Sequence, residues 1–277
     1  ILKKNLSDPL IEKYKNSIKL ESKAIELIDQ AKDEFYKELK IKFDQIHEKM
    51  SFGINNKKFL NLDLWTPQFA NPYYEKIKYK LENKFKLIKI REIKNKIIIF
   101  KEPGSDFYLN SLEKNHNDIP FIRTSDYFNY ELDPNPDYFM EETTGQEFYK
   151  ELKNGDIVVT KDGKIGNIAM IFESQKYILS AGSIVLRLNK DINPYYVFLC
   201  LSSGYIGQNF LKQRTVIAST IPHLKVSRFE DIEIPLIKKE KMDFLGSMVK
   251  DAYKLKSKRR NLMAEIKNKI NEHFNYK

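Results

Sequence analysis

Gly155-Asp156-Ile157-Val158-Val159-Thr160-Lys161-Asp162-Gly163-Lys164-Ile165-Gly166-Asn167-Ile168-Ala169-Met170-Ile171 reads as a strand, a tight turn and a second strand. The flanks are β-branched or apolar. Asp162-Gly163 between them is a pair that hairpin turns favour, because glycine accepts positive φ. Further strands stand on both sides. Downstream are Tyr177–Ser180 and Ser183–Leu188, separated around Gly182. Upstream, Pro120–Tyr127 is a strand running into a turn, and the isoleucine-rich stretch Phe85–Phe100 holds one or two more. Residues 129–147 carry acids and the turn formers Pro134, Pro136 and Gly145. Asn193-Pro194 opens a helix to about residue 202, with cap and proline in the order a helix start requires. Asn71-Pro72 opens another over about 72–84, and a third covers about 205–212. Residues 213–224 read as a polar loop, and Ile232–Pro235 as a closing strand.

Outside this mixed region the period changes. Residues 9–49 read as one helix with Pro9 in its first turn and a stripe of Ile11, Tyr14, Ile18, Ile25, Ile28, Phe35, Leu39 and Ile46. Residues 239–275 read as a second helix, striped by Met242, Leu245, Val249, Ala252, Leu255, Leu262, Ile266, Ile270 and Phe274. Each would be roughly 55–60 Å long at 1.5 Å per residue, which demands a long partner. The economical packing is side by side and antiparallel. The reading is an α+β fold: a β-rich globular unit over 51–238, flanked by a long helix over 1–50 and another over 239–277 that form an antiparallel coiled coil.

Composition narrows the function classes. The chain has 277 residues, 42% hydrophobic and 31% charged, with net charge +10. The charge is uneven. Residues 51–100 hold 11 basic against 4 acidic side chains, and 101–150 hold 4 against 11. A basic excess favours a polyanion, because binding releases condensed counterions; the other reading is a well-solvated lysine surface. No apolar run spans a membrane, and Ile1-Leu2-Lys3-Lys4-Asn5 has no secretory core. The expected place is the cytoplasm. The chain does not begin with Met, as a piece of a longer protein would not. A single cysteine, Cys200, in an apolar run is a core residue, and four scattered histidines (His47, His116, His223, His273) show no ligand spacing.

The order of these pieces resembles the specificity subunit of type I restriction-modification systems. There a long helix leads into a target recognition domain that a second long helix closes. Asn61–Phe69 is similar to the entry segment, with Asn61 where the family usually has Arg. Phe85–Ile93 resembles the first-strand motif, Pro120–Tyr127 the Ile-Arg-x-x-Asp strand, and Gly155–Ile171 the Gly-Asp-Ile hairpin. Ser219–Leu224 and Ile232–Leu236 resemble the closing motifs, with Lys238–Lys241 where a Gln often follows. Residues 121–171 also resemble the recognition domain fused to some N6-adenine methyltransferases. The resemblance implies sequence-specific recognition of double-stranded DNA that directs adenine methylation and cleavage by methyltransferase (modification) and restriction subunits. It implies spacer helices that dock those subunits, and a homodimer if the chain is a half-size subunit. No cofactor is implied on this chain; S-adenosylmethionine and Mg would belong to partners.

Base readout needs polar side chains on a rigid frame. The candidates are Lys161, Lys164 and Asn167 in the hairpin, and Gln213, Arg214, Thr215, Ser219, Thr220 and His223 in the later loop. Gly163 and Gly166 allow close approach to DNA, or simply a turn with positive φ.

Two catalytic readings are weaker. Asn71-Pro72-Tyr73-Tyr74, Asn135-Pro136-Asp137-Tyr138 and Asn193-Pro194-Tyr195-Tyr196 lack the second proline of an adenine methylase loop, and two of them are explained as helix caps. Asp137 with Asp162 and Lys164 spells a metal-dependent nuclease pattern, but Asp162-Gly163 is turn chemistry. The remaining alternative is a coiled-coil scaffold that binds only protein.

Overall fold

The computed structural model describes residues 4–48, 51–55, 57, 60, 62, 64–110, 115, 117–173, 175–218 and 220–274. Asn61, Asp63, His116 and Ser219, singled out above, lie outside them. In chain order the main elements are α1 (Lys4–Leu39), α2 (Pro72–Glu82), β1 (Lys86–Lys89), β2 (Lys94–Ile99), β3 (Leu109–Asn110), β4 (Ile119–Ile122), β5 (Tyr127–Phe128), β6 (Glu131–Leu132) and β7 (Tyr138–Met140). They continue with β8 (Ile157–Thr160), β9 (Ile168–Met170), β10 (Ile178–Leu179), β11 (Ser183–Leu188), α3 (Pro194–Ser202), α4 (Asn209–Arg214), β12 (Val216–Ala218), β13 (Ile221–His223), β14 (Glu233–Leu236) and α5 (Lys239–Phe274).

The long helices lie antiparallel. Lys13 pairs with Glu265, the Ser17 hydroxyl donates to the Met263 sulfur at 3.4 Å, Arg259 faces Glu21 at 3.2 Å, and Lys241 faces Glu38 at 3.4 Å. As one helix number rises the other falls.

The seam differs from the expected stripe. Leu10, Ser17, Ala24, Ile28, Ala31, Phe35 and Leu39 are buried on α1, whereas Ile11, Tyr14 and Ile18 are about half exposed (49%, 51% and 49%). Size decided this, not hydrophobicity alone. Ser17, Ala24 and Ala31 recur every seven residues, and small side chains let two backbones approach. Ala24 and Ile28 meet Ala252 of α5 there.

Helix α1 also stops ten residues before the expected end. Lys40 takes a left-handed conformation (φ 51°) and the chain turns back. Phe43 and Ile46 are still buried, but in the globular core, where Phe43 stacks on Tyr205 with centroids 4.9 Å apart. An apolar period that continues after the helix has ended misplaced the boundary. The helix also begins upstream of its expected start, so Pro9 is inside it.

The globular part holds two four-stranded sheets, in orders β2-β11-β8-β9 and β10-β4-β7-β3. Strand β8 is buried on both faces, which is why its sequence runs apolar without alternation. The Phe85–Phe100 stretch is two strands split by a helical turn at Ile90–Ile93. Antiparallel β1 and β14, with Lys86 opposite Leu236, bring the two ends of the unit together beside the long helices. Helix α3 fastens that pair to the sheets: Phe198 meets Tyr253 edge-on at 5.6 Å, and Tyr253 donates to the Tyr130 carbonyl at 2.6 Å. Cys200 is fully buried, and burial pushes its thiol well up. Among the described residues, no helix is long and apolar enough to cross a membrane.

Candidate nucleic-acid interface

Hairpin β8–β9 is built as expected, with Val158 opposite Ala169, but its connection is a folded seven-residue loop rather than a tight turn. Thr160 and Asn167 close it. The Thr160 amide donates to the Asn167 carbonyl at 2.9 Å, and the Asn167 amide donates to the Thr160 hydroxyl at 2.9 Å. Gly163 (φ 71°) and Gly166 (φ 87°) need the left-handed conformation, so both are turn glycines first. Asp156 of the Gly-Asp-Ile motif is 2% exposed. Its carboxylate accepts from the Lys153 amide at 2.7 Å and takes Arg187 in a two-point grip at 2.8 and 2.5 Å. The motif's acid therefore ties β8 to β11 and does not face outward.

The second candidate segment is not a loop. Val216–Ala218 and Ile221–His223 pair as an antiparallel ribbon, β12–β13, with Ile217 opposite Pro222. Its base is bonded to the first loop. The Gly163 amide donates to the Pro222 carbonyl at 3.0 Å, and the Leu224 amide to the Lys161 carbonyl at 2.7 Å. The Lys161 and Asp162 amides both donate to the Gly182 carbonyl, at 2.8 and 3.2 Å. A Cβ at Gly182 would sit 2.6 Å from Thr124 Cγ2, so three loops converge where only glycine fits. His223 Nδ1 lies 2.8 Å from Asp162 Oδ1, and Lys161 pairs with the same carboxylate. With Asp162 accepting at Nδ1, Nε2 is the ring nitrogen that remains for a ligand on this half-exposed side chain.

The sequence-derived candidates thus separate. Lys164, Thr220 and His223 are exposed, and Lys164 has no ion-pair partner among the described residues. Asn167 is held, its amide donating to the Thr124 carbonyl at 3.3 Å. Gln213 and Thr215 are each 8% exposed. Gln213 Nε2 donates to the Phe69 carbonyl at 3.3 Å, and the Thr215 hydroxyl to the Leu211 carbonyl at 2.8 Å. Arg214 in turn donates to Gln213 Oε1 at 2.8 Å, so the polar atoms of Gln213 and Thr215 serve the chain itself and fix the root of the ribbon. Arg214 donates to the Asp231 carbonyl at 3.3 Å and lies 5.5 Å from the Phe210 ring.

Some neighbours of this face were missed. Arg123 lies over the Tyr138 ring at 4.4 Å and donates to Asp137 at 2.9 Å. Partial burial pulls its guanidinium down, yet Asp126 and Asp137 together push it above its ordinary value. It stood in the Ile-Arg-x-x-Asp motif, where its charge was the available signal. Lys212 and Ile217 carried no signal, because a ribbon with an outward isoleucine is invisible in a segment read as a loop.

The catalytic sets do not assemble. Asp137 is committed to Arg123, and Asp162 to Lys161 and His223. Among the described residues no group of three or more His, Cys, Asp or Glu could hold a metal. The Asn-Pro-Tyr-Tyr segments are helix caps: Asn71 accepts from the Tyr73 amide at 3.0 Å, and Asn193 from the Tyr195 amide at 3.1 Å.

Residues 82–272 match the family described as the type I restriction modification DNA specificity domain. No functionally curated protein matches the chain. Among solved structures it is similar to the S subunit of a type-I restriction-modification system from M. genitalium. There the identity is 16% and the TM-score 0.49, over 96% of this chain and 58% of that one. It is also similar to the HsdS subunit from Thermoanaerobacter tengcongensis, at 13% identity and TM-score 0.43, over 72% of this chain and 51% of that one. The chain spans little more than half the length of these structures.

Proposed function

The chain belongs to the type I restriction modification DNA specificity domain family, and from that premise we propose that it reads a short sequence in double-stranded DNA for a restriction-modification complex. It performs no chemistry of its own in this reading. Methyltransferase subunits supply adenine N6 methylation with S-adenosylmethionine, and restriction subunits supply cleavage with Mg. Residues 51–238 act as the recognition unit, and the antiparallel helices space it and dock the catalytic subunits. Such a complex works on cellular DNA in the cytoplasm, and a half-size subunit would pair with a second copy.

The observation that carries the reading is the joining of two segments distant in sequence. Loop 161–167 and ribbon β12–β13 are bonded at their bases, through Gly163 to Pro222 and Leu224 to Lys161, while Lys164, Thr220 and His223 point outward. A rigid frame with an exposed polar rim is what base readout requires. Lys161, Lys164, Thr220 and His223 form the rim; Ser219, the remaining candidate, lies outside the described residues. Asn167, Gln213, Arg214 and Thr215 act by holding it.

The test is binding of the purified chain to a random duplex pool at two salt concentrations, with the bound fraction sequenced. One enriched motif of a few base pairs is the expected result. Binding that weakens with salt yet enriches nothing, or no binding at low salt, overturns the reading and favours a protein-binding scaffold.

A further inference from the structure

Among the described residues, ribbon β12–β13 carries an aliphatic side chain that the rest of the fold leaves mostly uncovered. Ile217 is 65% exposed. It shares its face of the ribbon with Pro222, directly opposite. Ile221, 50% exposed, points to the other face, with His223 two residues on. The two faces differ in chemistry. On the Ile221 side stands the Asp162 carboxylate, bound to His223. On the Ile217 side an open cleft of about 400 Å³ separates the ribbon from α4, with Gly163, Lys212, Asn209 and Gln68 along its walls. That side offers an apolar patch, side-chain amides and a lysine whose acidic neighbour is the exposed Glu48.

Exposed isoleucine at the end of a well-anchored ribbon calls for a partner. Its root is fixed by the buried Leu224, by Thr215 bonded to Leu211, and by the Gly163–Pro222 bond, so the exposure does not come from a loose end. The major groove of B-DNA, about 12 Å wide, admits a two-stranded ribbon and presents one apolar group, the C5-methyl of thymine. The paired strands are about 4.8 Å apart, leaving room for side chains on either flank.

We propose that the Ile217 face of this ribbon enters the major groove and that Ile217 seats against a thymine methyl, with Lys212 meeting a flanking phosphate. The inference rests on the DNA-reading function proposed above and names the base that one position selects. Lys212 faces Glu48 at 3.3 Å in the isolated chain, an exposed pair that a phosphate can displace.

The experiment uses the duplex recovered from the random pool, with each thymine in turn replaced by deoxyuridine, which lacks only the methyl. The wild-type chain, Ile217→Ala and Ile221→Ala are titrated against the set. For the wild type, one deoxyuridine position weakens binding about four-fold, the worth of one buried methyl. Ile217→Ala loses about as much on the thymine duplex and nothing further at that position, while Ile221→Ala keeps the full response. Both side chains are exposed, so thermal unfolding of the two variants stays at the wild-type midpoint. Loss on Ile217→Ala that is independent of every deoxyuridine overturns the methyl contact and points to a wedge or a packing role. An equal response in both variants, no effect in either, or a selected motif without thymine overturns it too. These results leave DNA reading intact. A pool that enriches nothing removes that reading, and this inference with it.

Discussion

Replacing Glu21 tests what holds the long helices to the recognition unit. Lys256 on α5 is fully buried, with its ammonium 3.1 Å from Glu21 and 3.5 Å from Glu131. Arg259 faces the other oxygen of Glu21 at 3.2 Å as an ion pair, without the angle of a hydrogen bond. Arg260 pairs with Glu131 and reaches Glu173 at 3.5 Å. Three acids thus balance three bases across α1, the β5–β6 hairpin, the segment after β9 and α5. Glu21→Ala leaves the buried Lys256 with Glu131 alone, at the longer distance, and strips Arg259 and the Asn129 amide, which donates to Glu21 at 2.9 Å. Uncompensated buried charge costs about 3–5 kcal/mol. An unfolding entropy of about 2.1 cal/mol/K per residue, over 277 residues, converts this to a Tm lower by roughly 5–9 °C.

Lys256→Met behaves differently. Each inner acid keeps its arginine, and the surplus negative charge falls to Glu173, whose side chain is 56% exposed and hydrated. Its cost is about 1.5–3 kcal/mol, the worth of a hydrogen bond to a charged group, and the double variant is more stable than Glu21→Ala alone. Urea denaturation of the four proteins, read as a double-mutant cycle, gives the numbers. Equal losses for both single variants, or a Glu21→Ala loss under 1 kcal/mol, would refute the argument that the buried ammonium is what makes the pair matter.

Further outcomes follow from single features. Gly207→Ala puts a Cβ 2.2 Å from the Leu201 carbonyl oxygen at the end of α3; stability falls by about 1–3 kcal/mol, read as a shift in the urea midpoint, and an unchanged midpoint contradicts the packing. Lys164→Ala weakens binding to all duplexes alike and lowers the slope of log affinity against log salt by about 0.9, whereas a change confined to one base position would make Lys164 a base reader. Tyr74 and Tyr108 are both pushed up to about 12, in each case first by burial, helped by Glu48 for Tyr74 and by Glu102 for Tyr108. Unfolded, they ionise near pH 10, so the folded chain keeps protons that the unfolded chain releases. Their contribution is full below about pH 10 and is lost as pH rises toward about 12. Tyrosinate absorbance should therefore lag and then rise with unfolding; a smooth titration centred near 10 would count against it.

The parts of the fold were legible in short windows of the chain. Asp-Gly between β-branched runs required the β8–β9 hairpin, Asn-Pro pairs required helix starts at 72 and 194, and apolar spacings of three and four required the long helices. These are local rules, set by backbone sterics and by which side chains share a face, so a short window contains them. The α1 error was not local: Ile11, Tyr14 and Ile18 have the spacing of a stripe, but Ser17, Ala24 and Ala31 form the seam because their small size lets α5 come close, and that is a property of two helices together. The candidate interface was legible only in part. Lys164, Thr220 and His223 reach the surface as polar residues of turn-rich segments should. Gln213 and Thr215 look the same in sequence, yet their polar atoms answer to Phe69, Arg214 and Leu211. Only the tertiary structure could decide that, because a polar side chain is spent on the protein or offered to a ligand according to which carbonyls the fold brings within 3.5 Å of it. The same holds for the 213–224 segment: pairing Val216 with His223 needed Gly163, Lys161 and Gly182 already in place, and turned a loop into a ribbon with an isoleucine outward.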